Sequence, residues 1–363
     1  MLFSYLVYSI TLFLSIGISF FQSNLKSIKN PKNSYKLIAL IPIIFISSFK
    51  ANSVGTDSLN YFLDYTILNP FKFNLIDQLL NNILYTEPFF YTIQFVLKYF
   101  NADYTIFLLI ITTFIWTLIY FSSINRIEYF YHVIFFSVTL GFLFFSFNGI
   151  RQCIAMSLVF LAVRHLIDYK KKKFVFIIII ASLFHYSAIL LIPIIWIISK
   201  INLKKSYWIS IFIISFFLPM QIFYGLIQDI FSYFPRYSHY IIDIIIYGYG
   251  ESSITFGVFL NFIILLIPLL YFKVSEKSSY NKIIFNISFV GSVLYIIFFG
   301  NLIFNRFIMY FLFFQIFQYS LIFDDLTNRG KKYDKMILGS LFYILLLIKI
   351  SVNDSGSSPY FLI

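Results

Sequence analysis

Charged residues and cysteine are both scarce in this chain of 363 residues. Charged side chains make up 12% of it, roughly half the share of a soluble domain, whereas 60% of the residues are hydrophobic. Cys153 is the only cysteine, which excludes an internal disulfide and a cysteine-based metal cluster, and we expect a small buried residue there. An Asp-rich metal motif and a phosphate-binding glycine-rich loop are missing too, which argues against a nucleotide-fuelled activity. The composition predicts a polytopic membrane protein that uses no metal and no cofactor.

Basic residues outnumber acidic ones by 27 to 15, which gives a formal net charge of +12. In a soluble protein this surplus would suggest nucleic acid, but the cytoplasmic loops of membrane proteins also collect Lys and Arg. The basic clusters stand between apolar runs, at residues 26–36, 170–173, 200–205, 273–282 and 329–335. We therefore interpret them as topology signals and contacts with membrane lipid, and we expect no nucleic-acid partner. Residues 1–21 lack a basic start and a cleavage motif, so they predict a first membrane helix.

Apolar runs between these clusters predict an all-α polytopic integral membrane protein with about ten transmembrane helices. We expect residues 1–363 to form a single transmembrane domain. The stretch 174–199 is long enough for one span, yet basic clusters flank it on both sides. Two short half-helices that meet near His185 would satisfy both clusters as a broken or re-entrant pair, and one tilted span is the alternative. Residues 88–100 predict an interfacial or re-entrant helix. Two loops, about 50–100 and 225–252, are predicted on the outer face.

Arg151 is the most informative charged residue, because it stands between long apolar runs in Asn148-Gly149-Ile150-Arg151-Gln152. A cation in such a position is costly in a bilayer, so it lies at an interface or faces a polar cavity. The residues that follow predict a helix, whose first N–H groups and dipole favour an anion. The pattern therefore predicts an anion site at this helix start.

Several ionisable side chains approach the outer face in this topology, namely Asp57, Glu87, Arg151, His185, Arg236 and Arg306. Each has a simpler interpretation. The arginines could be interface anchors or a solvated loop residue, the histidine could be packed in the core, and the carboxylates could stabilise a turn or a helix start. Taken together, however, several arginines suit a diphosphate, and a histidine or carboxylate could accept a proton from an attacking hydroxyl.

The same positions carry a family resemblance. They fall in short motifs spread over most of the chain: Gly55-Thr56-Asp57 with Tyr61, Glu87-Pro88-Phe89-Phe90, Gly149-Ile150-Arg151-Gln152 with Ala155, Phe184-His185-Tyr186-Ser187-Ala188, Asn305-Arg306-Phe307 with Tyr310, and Pro359-Tyr360. In this order and spacing the chain resembles the EpsG group of Wzy-like polysaccharide polymerases. An arginine often precedes the Gly-Thr-Asp motif in that group, whereas Lys50 is the nearest basic residue here.

The resemblance implies a glycosyltransferase of the bacterial inner (plasma) membrane, with its active site facing the periplasm or exterior. It would transfer a growing O-antigen, capsule or exopolysaccharide chain from undecaprenyl diphosphate to a sugar hydroxyl of an incoming lipid-linked unit. Donor and acceptor would both be undecaprenyl-diphosphate-linked oligosaccharides, and a chain-length regulator is a further candidate partner.

Under this hypothesis Arg151 and Arg306 bind the donor diphosphate and stabilise charge on the leaving group. Arg236, on an outer loop, would help to hold the phosphate of donor or acceptor. Gln152 and Tyr61 are the other expected contacts with diphosphate or sugar.

The general base on the acceptor hydroxyl is the other role that the hypothesis requires. His185 is the first candidate for this base, and Asp57 or Glu87 is the second. No metal ligand is expected among the site residues.

Two other functions fit part of the pattern. A flippase or transporter of the same lipid-linked sugar also needs a cationic cavity, but it would carry polar residues in the middle of several helices and an inverted repeat. A membrane acyltransferase that modifies surface sugars also places histidine and arginine in the membrane, but its acyl donor would arrive from the cytoplasm. The predicted clustering of the charged set on the outer face favours the polymerase.

Overall fold

The computed structural model of the protein describes residues 1–24, 33–70, 87–124, 126–218, 256–299 and 302–362. Over these residues the chain is helical, and an antiparallel bridge between Lys50 and Leu362 is the only β pairing among them. The predicted all-α class is therefore confirmed. The predicted loop 225–252 lies outside the described residues, as do residues 71–86 of the loop predicted for 50–100.

The described helices are numbered here in chain order. They are α1 Leu2–Asn24, α2 Ile41–Ser48, α3 Ser58–Ile67, α4 Pro88–Tyr99, α5 Tyr104–Ser123, α6 Phe130–Thr139, α7 Phe142–Asn148, α8 Ile150–Ile167, α9 Lys171–Phe184, α10 Leu191–Lys200, α11 Lys205–Ser215, α12 Phe256–Leu270, α13 Phe272–Ser275, α14 Ser279–Ile297, α15 Leu302–Leu312, α16 Gln315–Asn328 and α17 Lys332–Ser351. The chain divides into two compact units, Met1–Pro193 with Tyr319–Ile363, and Ile194–Gln318.

Helix α8 is a long and largely buried helix of the first unit. It packs against α5 and α9, and Cys153, Ala155 and Met156 have no exposed surface at all. The interpretation of Cys153 as a small buried residue is confirmed. Because α8 is held by neighbours on most sides, its first turn, which carries Arg151, has a fixed position in the unit.

Five helices of the described residues are long and apolar enough to cross a membrane, or up to six if one bent pair counts as a span. The prediction of about ten transmembrane helices, based on roughly 20 apolar residues per span, is too high for the described part of the chain. The stretches Leu37–Ser48 and Tyr186–Ile198 are apolar, but both are shorter than a span requires. Charge clusters mark where loops lie, and they do not measure how long the helices between them are.

Two apolar stretches that are long enough for a span are broken. Helices α6 and α7 meet at an angle of 58° at Gly141, whose φ of +90° favours glycine. The stretch 174–199 breaks where it was predicted to. Helix α9 ends at Phe184, His185 is extended (φ −158°, ψ 109°), and a short 3-10 helix, Tyr186–Leu190, leads into α10.

The second unit has its own apolar core, in which Trp208 packs edge-on against Phe285 and Phe289. Helices α14 and α15 approach closely at Gly291, where an added Cβ would lie 2.8 Å from the backbone nitrogen of Leu312. This close approach requires glycine at that position.

Candidate functional site

A buried carboxylate, Glu87, joins two of the other predicted site residues. Its Oε2 accepts a hydrogen bond from Nη1 of Arg151, and its Oε1 lies 3.3 Å from Nδ1 of His185. The Glu87 side chain is 4% exposed. It precedes Pro88 at the start of α4, as the sequence indicated, yet it makes no capping hydrogen bond to that helix. Glu87, Arg151 and His185 thus form one cluster, although 64 and 98 residues separate Glu87 from its two partners.

Arg151 is the second residue of α8, so the predicted helix start is confirmed. Its guanidinium lies 5.9 Å from the ring centroid of Tyr61 and 6.0 Å from that of Phe90, and it is hydrogen-bonded to the Tyr61 side chain. Burial raises the pKa of Tyr61, and the charge of Arg151 partly opposes that rise. The Arg151 side chain is 36% exposed. A guanidinium has five N–H donors, so Arg151 can bind an anion while Glu87 and Tyr61 hold it.

His185 reaches Glu87 because α9 packs against α4. Phe184, the last residue of α9, makes an edge-to-face contact with Phe89 of α4, and the two ring centroids lie 5.5 Å apart. The extended backbone at His185 then turns the side chain, which is 25% exposed, towards Glu87. Because Nδ1 faces the carboxylate, a neutral ring that carries its proton there presents Nε2 as a proton acceptor.

Asp57 lies at the start of α3 and makes no side-chain capping bond. Its backbone N–H donates to Oδ1 of Asn148 at 3.1 Å, and its charge contributes to the raised pKa of Tyr61, four residues further on. Asp57 therefore lies at the Tyr61 side of the cluster. Gln152 follows Arg151 on α8 and is buried.

The other two predicted arginines lie outside the compact unit that holds this cluster or outside the described residues. Arg306 is an exposed residue on α15, in the second compact unit. Arg236 lies outside the described residues. Their predicted roles remain predictions.

Sequence reasoning named the charged members of the cluster but missed its supports. Phe90, in the motif that begins with Glu87, packs edge-on against Tyr61 beneath the guanidinium. Asn148 stands immediately before the Gly-Ile-Arg-Gln motif and binds the Asp57 backbone. Their places next to the charged motifs were the only sequence signal for either residue.

Lys50, the basic residue nearest the Gly-Thr-Asp motif, is buried below it. Its Nζ donates to the carbonyl oxygen of Val54 at 2.8 Å and to Oγ of Ser58 at 2.6 Å, and it lies over the Phe147 ring. Its exposure of 1% makes it a support for the loop and excludes contact with a bulky substrate. Burial lowers the pKa of Lys50 to about 7.

Replacing Lys50 with methionine should remove a pH dependence of stability. A lysine has a pKa of about 10.4 when unfolded, so between pH 7 and 10 the unfolded chain binds more protons at this residue than the folded one. The free energy of unfolding should therefore rise with pH, by up to about 1.4 kcal/mol per pH unit from this group. The hydroxyl of Ser58 still donates to Val54 in the variant.

The measurement is thermal unfolding in detergent between pH 7 and 10, for the wild type and Lys50→Met. Lys332→Met, at an exposed lysine, is the matched control and should keep the wild-type slope. Equal slopes in the wild type and Lys50→Met would contradict the expected titration.

The described residues define a helical membrane protein with a charged cluster at the start of a largely buried helix, α8. The model of the EpsG family matches residues 33–362, nearly the whole chain. The protein belongs to the EpsG family, a family of Wzy-like polymerases. Comparisons with curated proteins and with solved structures gave no match.

Proposed function

We propose that the protein polymerises undecaprenyl-diphosphate-linked oligosaccharide repeat units into a surface polysaccharide at the outer face of the bacterial inner membrane. Family membership supports a membrane polysaccharide polymerase. The observation that carries the finer proposal is the cluster of Arg151, Glu87 and His185, which combines a permanent cation with a histidine oriented by a carboxylate.

The reaction joins two lipid-linked chains. A hydroxyl oxygen of the acceptor sugar attacks the anomeric carbon of the donor sugar, and a new glycosidic bond forms. The bond from that carbon to the diphosphate breaks, and undecaprenyl diphosphate leaves with the electron pair. The proton of the hydroxyl passes to the general base.

His185 is the proposed general base, acting through Nε2. Glu87 accepts a hydrogen bond from the proton-bearing Nδ1 of His185. Its charge stabilises the imidazolium that forms, as a buried carboxylate next to a catalytic histidine does. The sequence hypothesis placed Glu87 as an alternative base, and its two contacts support a positioning role instead. Asp57 stays the alternative base.

Arg151 is the proposed ligand of the leaving diphosphate. Its position at the first turn of α8 adds the helix dipole to the charge of the guanidinium, and both favour a phosphate. Arg306 and Arg236 are the proposed further phosphate ligands, and Gln152 and Tyr61 the proposed sugar or phosphate contacts. With guanidinium groups to neutralise the leaving group, the reaction is proposed to need no metal.

The test is glycosidic bond formation by the purified protein. Protein in detergent is mixed with lipid-linked repeat units and a metal chelator, and mass spectrometry follows the products. We expect chains of two or more units and one undecaprenyl diphosphate released for each bond formed. Unchanged units in detergent, together with movement of those units across the membrane of proteoliposomes, would instead identify a flippase. Transfer of an acyl group to the sugar would identify an acyltransferase.

A further inference from the structure

Three segments of the first unit meet next to the charged cluster, and the proposed chemistry uses none of their contacts. They are the loop of residues 50–57, the residue Asn148 at the end of α7, and the C-terminal segment Asn353–Leu362. Pro359-Tyr360 in the last of these was part of the family resemblance but received no function. The arrangement suggests that these segments position the cluster.

Asn148 binds both of the other segments with its one side chain. Its Oδ1 accepts the backbone N–H of Asp57 at 3.1 Å, and its Nδ2 donates to the carbonyl oxygen of Ser355. The residue is 7% exposed. An amide can accept at one end and donate at the other, which neither an ionised aspartate nor an apolar side chain of this size does. Arg151 follows three residues later, at the start of α8.

Two glycines let the loop and the C-terminal segment touch. The backbone N–H of Gly55 donates to the carbonyl oxygen of Gly356 at 2.8 Å. A Cβ on Gly356 would lie 2.8 Å from the backbone nitrogen of Thr56, and both glycines have positive φ. A side chain on Gly356 would push the two segments apart, and one on Gly55 would collide with Asn148, whose Oδ1 would lie 2.9 Å from the added Cβ.

The C-terminal segment is itself fixed to the first helices. The hydroxyl of Tyr360 donates to the carbonyl oxygen of Ile46 at 2.8 Å. The hydroxyl of Tyr8 donates to the carbonyl oxygen of Ser357 at 2.6 Å. The backbone N–H of Ala51 donates to the carbonyl oxygen of Phe361 at 2.8 Å. The segment is therefore a rigid support on which Asn148 and the loop can rest.

We infer that Asn148 is a positioning residue, which uses the C-terminal segment as a rigid support to set the distance between Asp57 and Arg151. The inference rests on the proposed function for its catalytic consequence. Its structural consequence, a closed loop at residues 50–57, does not depend on that function.

The first experiment measures the loop without reference to activity. Val54 has no exposed surface, and the single native cysteine is buried, so Val54→Cys is a probe that a water-soluble thiol reagent should modify slowly. Adding Asn148→Ala should accelerate the modification at least about tenfold, because one side chain then no longer joins the two segments. Asn286→Ala, which removes another buried amide that donates to the backbone, is the matched control and should leave the rate unchanged.

The second experiment measures polymerisation by the folded fraction of each variant. Asn148→Ala should lower kcat by about 10–100-fold with KM changed less than about threefold, because misplaced groups slow the chemical step more than binding. Asn148→Asp should be equally slow at pH 8 and should recover relative to the wild type towards pH 5. A protonated aspartate, like an amide, both donates and accepts.

The two experiments separate the inference from the proposed function. If the wild type makes no glycosidic bond, the proposed function fails, and the cysteine rates still test the positioning role. If Asn148→Ala leaves both the cysteine rate and kcat unchanged, the positioning role is wrong. A loss of folded protein with normal kcat in the folded fraction would also overturn it.

Discussion

Replacing Arg151 with alanine should abolish the polymer, while single repeat units still accumulate on their lipid carrier. The variant lacks the permanent cation of Arg151 at the point where charge develops on the leaving diphosphate of the donor. Removal of one such group typically costs about 10²–10³-fold in kcat. Arg151→Lys should be nearly as defective, because a lysine ammonium is a point charge without the planar, bidentate geometry with which a guanidinium holds Glu87 and binds a phosphate.

The measurement is the ladder of polysaccharide lengths made by cells that express each variant in place of the wild type. Arg164→Ala is the matched control, because Arg164 lies on the same helix and binds the backbone oxygen of Phe121, away from the cluster. Its ladder should be normal. A ladder of normal length and intensity from Arg151→Ala would contradict the assignment of the site.

A second variant separates lost chemistry from lost folding. Removing Arg151 alone takes the neighbouring cation away from Glu87, whose side chain is 4% exposed, and breaking a buried ion pair costs about 3–5 kcal/mol. The double variant Arg151→Met with Glu87→Gln removes both charges and should unfold close to the wild-type temperature. It should still make no polymer, because the diphosphate ligand is gone.

The charged cluster shows how far sequence reasoning could go. The cost of burying charge singled out Arg151, Glu87 and His185, because each interrupts an apolar or aromatic segment, and the structure brings these three side chains together. Their pairing could not be read from the chain, since it depends on how α4, α8 and α9 pack. The sequence therefore offers Glu87 only as an alternative base, whereas its contacts with both side chains support the proposed positioning role.

The fold likewise has features that the local sequence predicts and features that it does not. Composition and basic clusters predicted a helical membrane protein and a break near His185, because both follow from local physical preferences. The number of spans was overestimated for the described residues, because an apolar run of 12 or 13 residues and one of 20 look alike between two charged loops. The bend at Gly141 was missed, since a single glycine in an apolar run does not by itself specify a left-handed turn.

The largest effect on stability is expected at Asp324, which lies within the first unit and is 7% exposed. Its Oδ1 lies 2.7 Å from Nδ1 of His132, and its Oδ2 accepts the backbone N–H of Glu128 at 2.6 Å. The carboxylate thus joins the end of α16 to the first turn of α6 and to Glu128 just before it. Asp324→Ala leaves a buried imidazole and a backbone N–H without their acceptor, and should lower the free energy of unfolding by about 1–3 kcal/mol for each of these two groups.

Chemical unfolding in detergent measures this loss, and Asp168→Ala is the matched control. Asp168 pairs with Arg126, but their side chains are 23% and 32% exposed, so its loss should cost no more than about 1 kcal/mol. The double variant Asp324→Leu with His132→Phe should recover most of the stability, because two apolar side chains replace a buried polar pair. If the free energy of unfolding of Asp324→Ala were no lower than that of Asp168→Ala, the buried contact between Asp324 and His132 would not stabilise the fold as predicted. Polymerisation by the folded fraction should stay normal in every one of these variants, since the proposed chemistry uses none of these three residues.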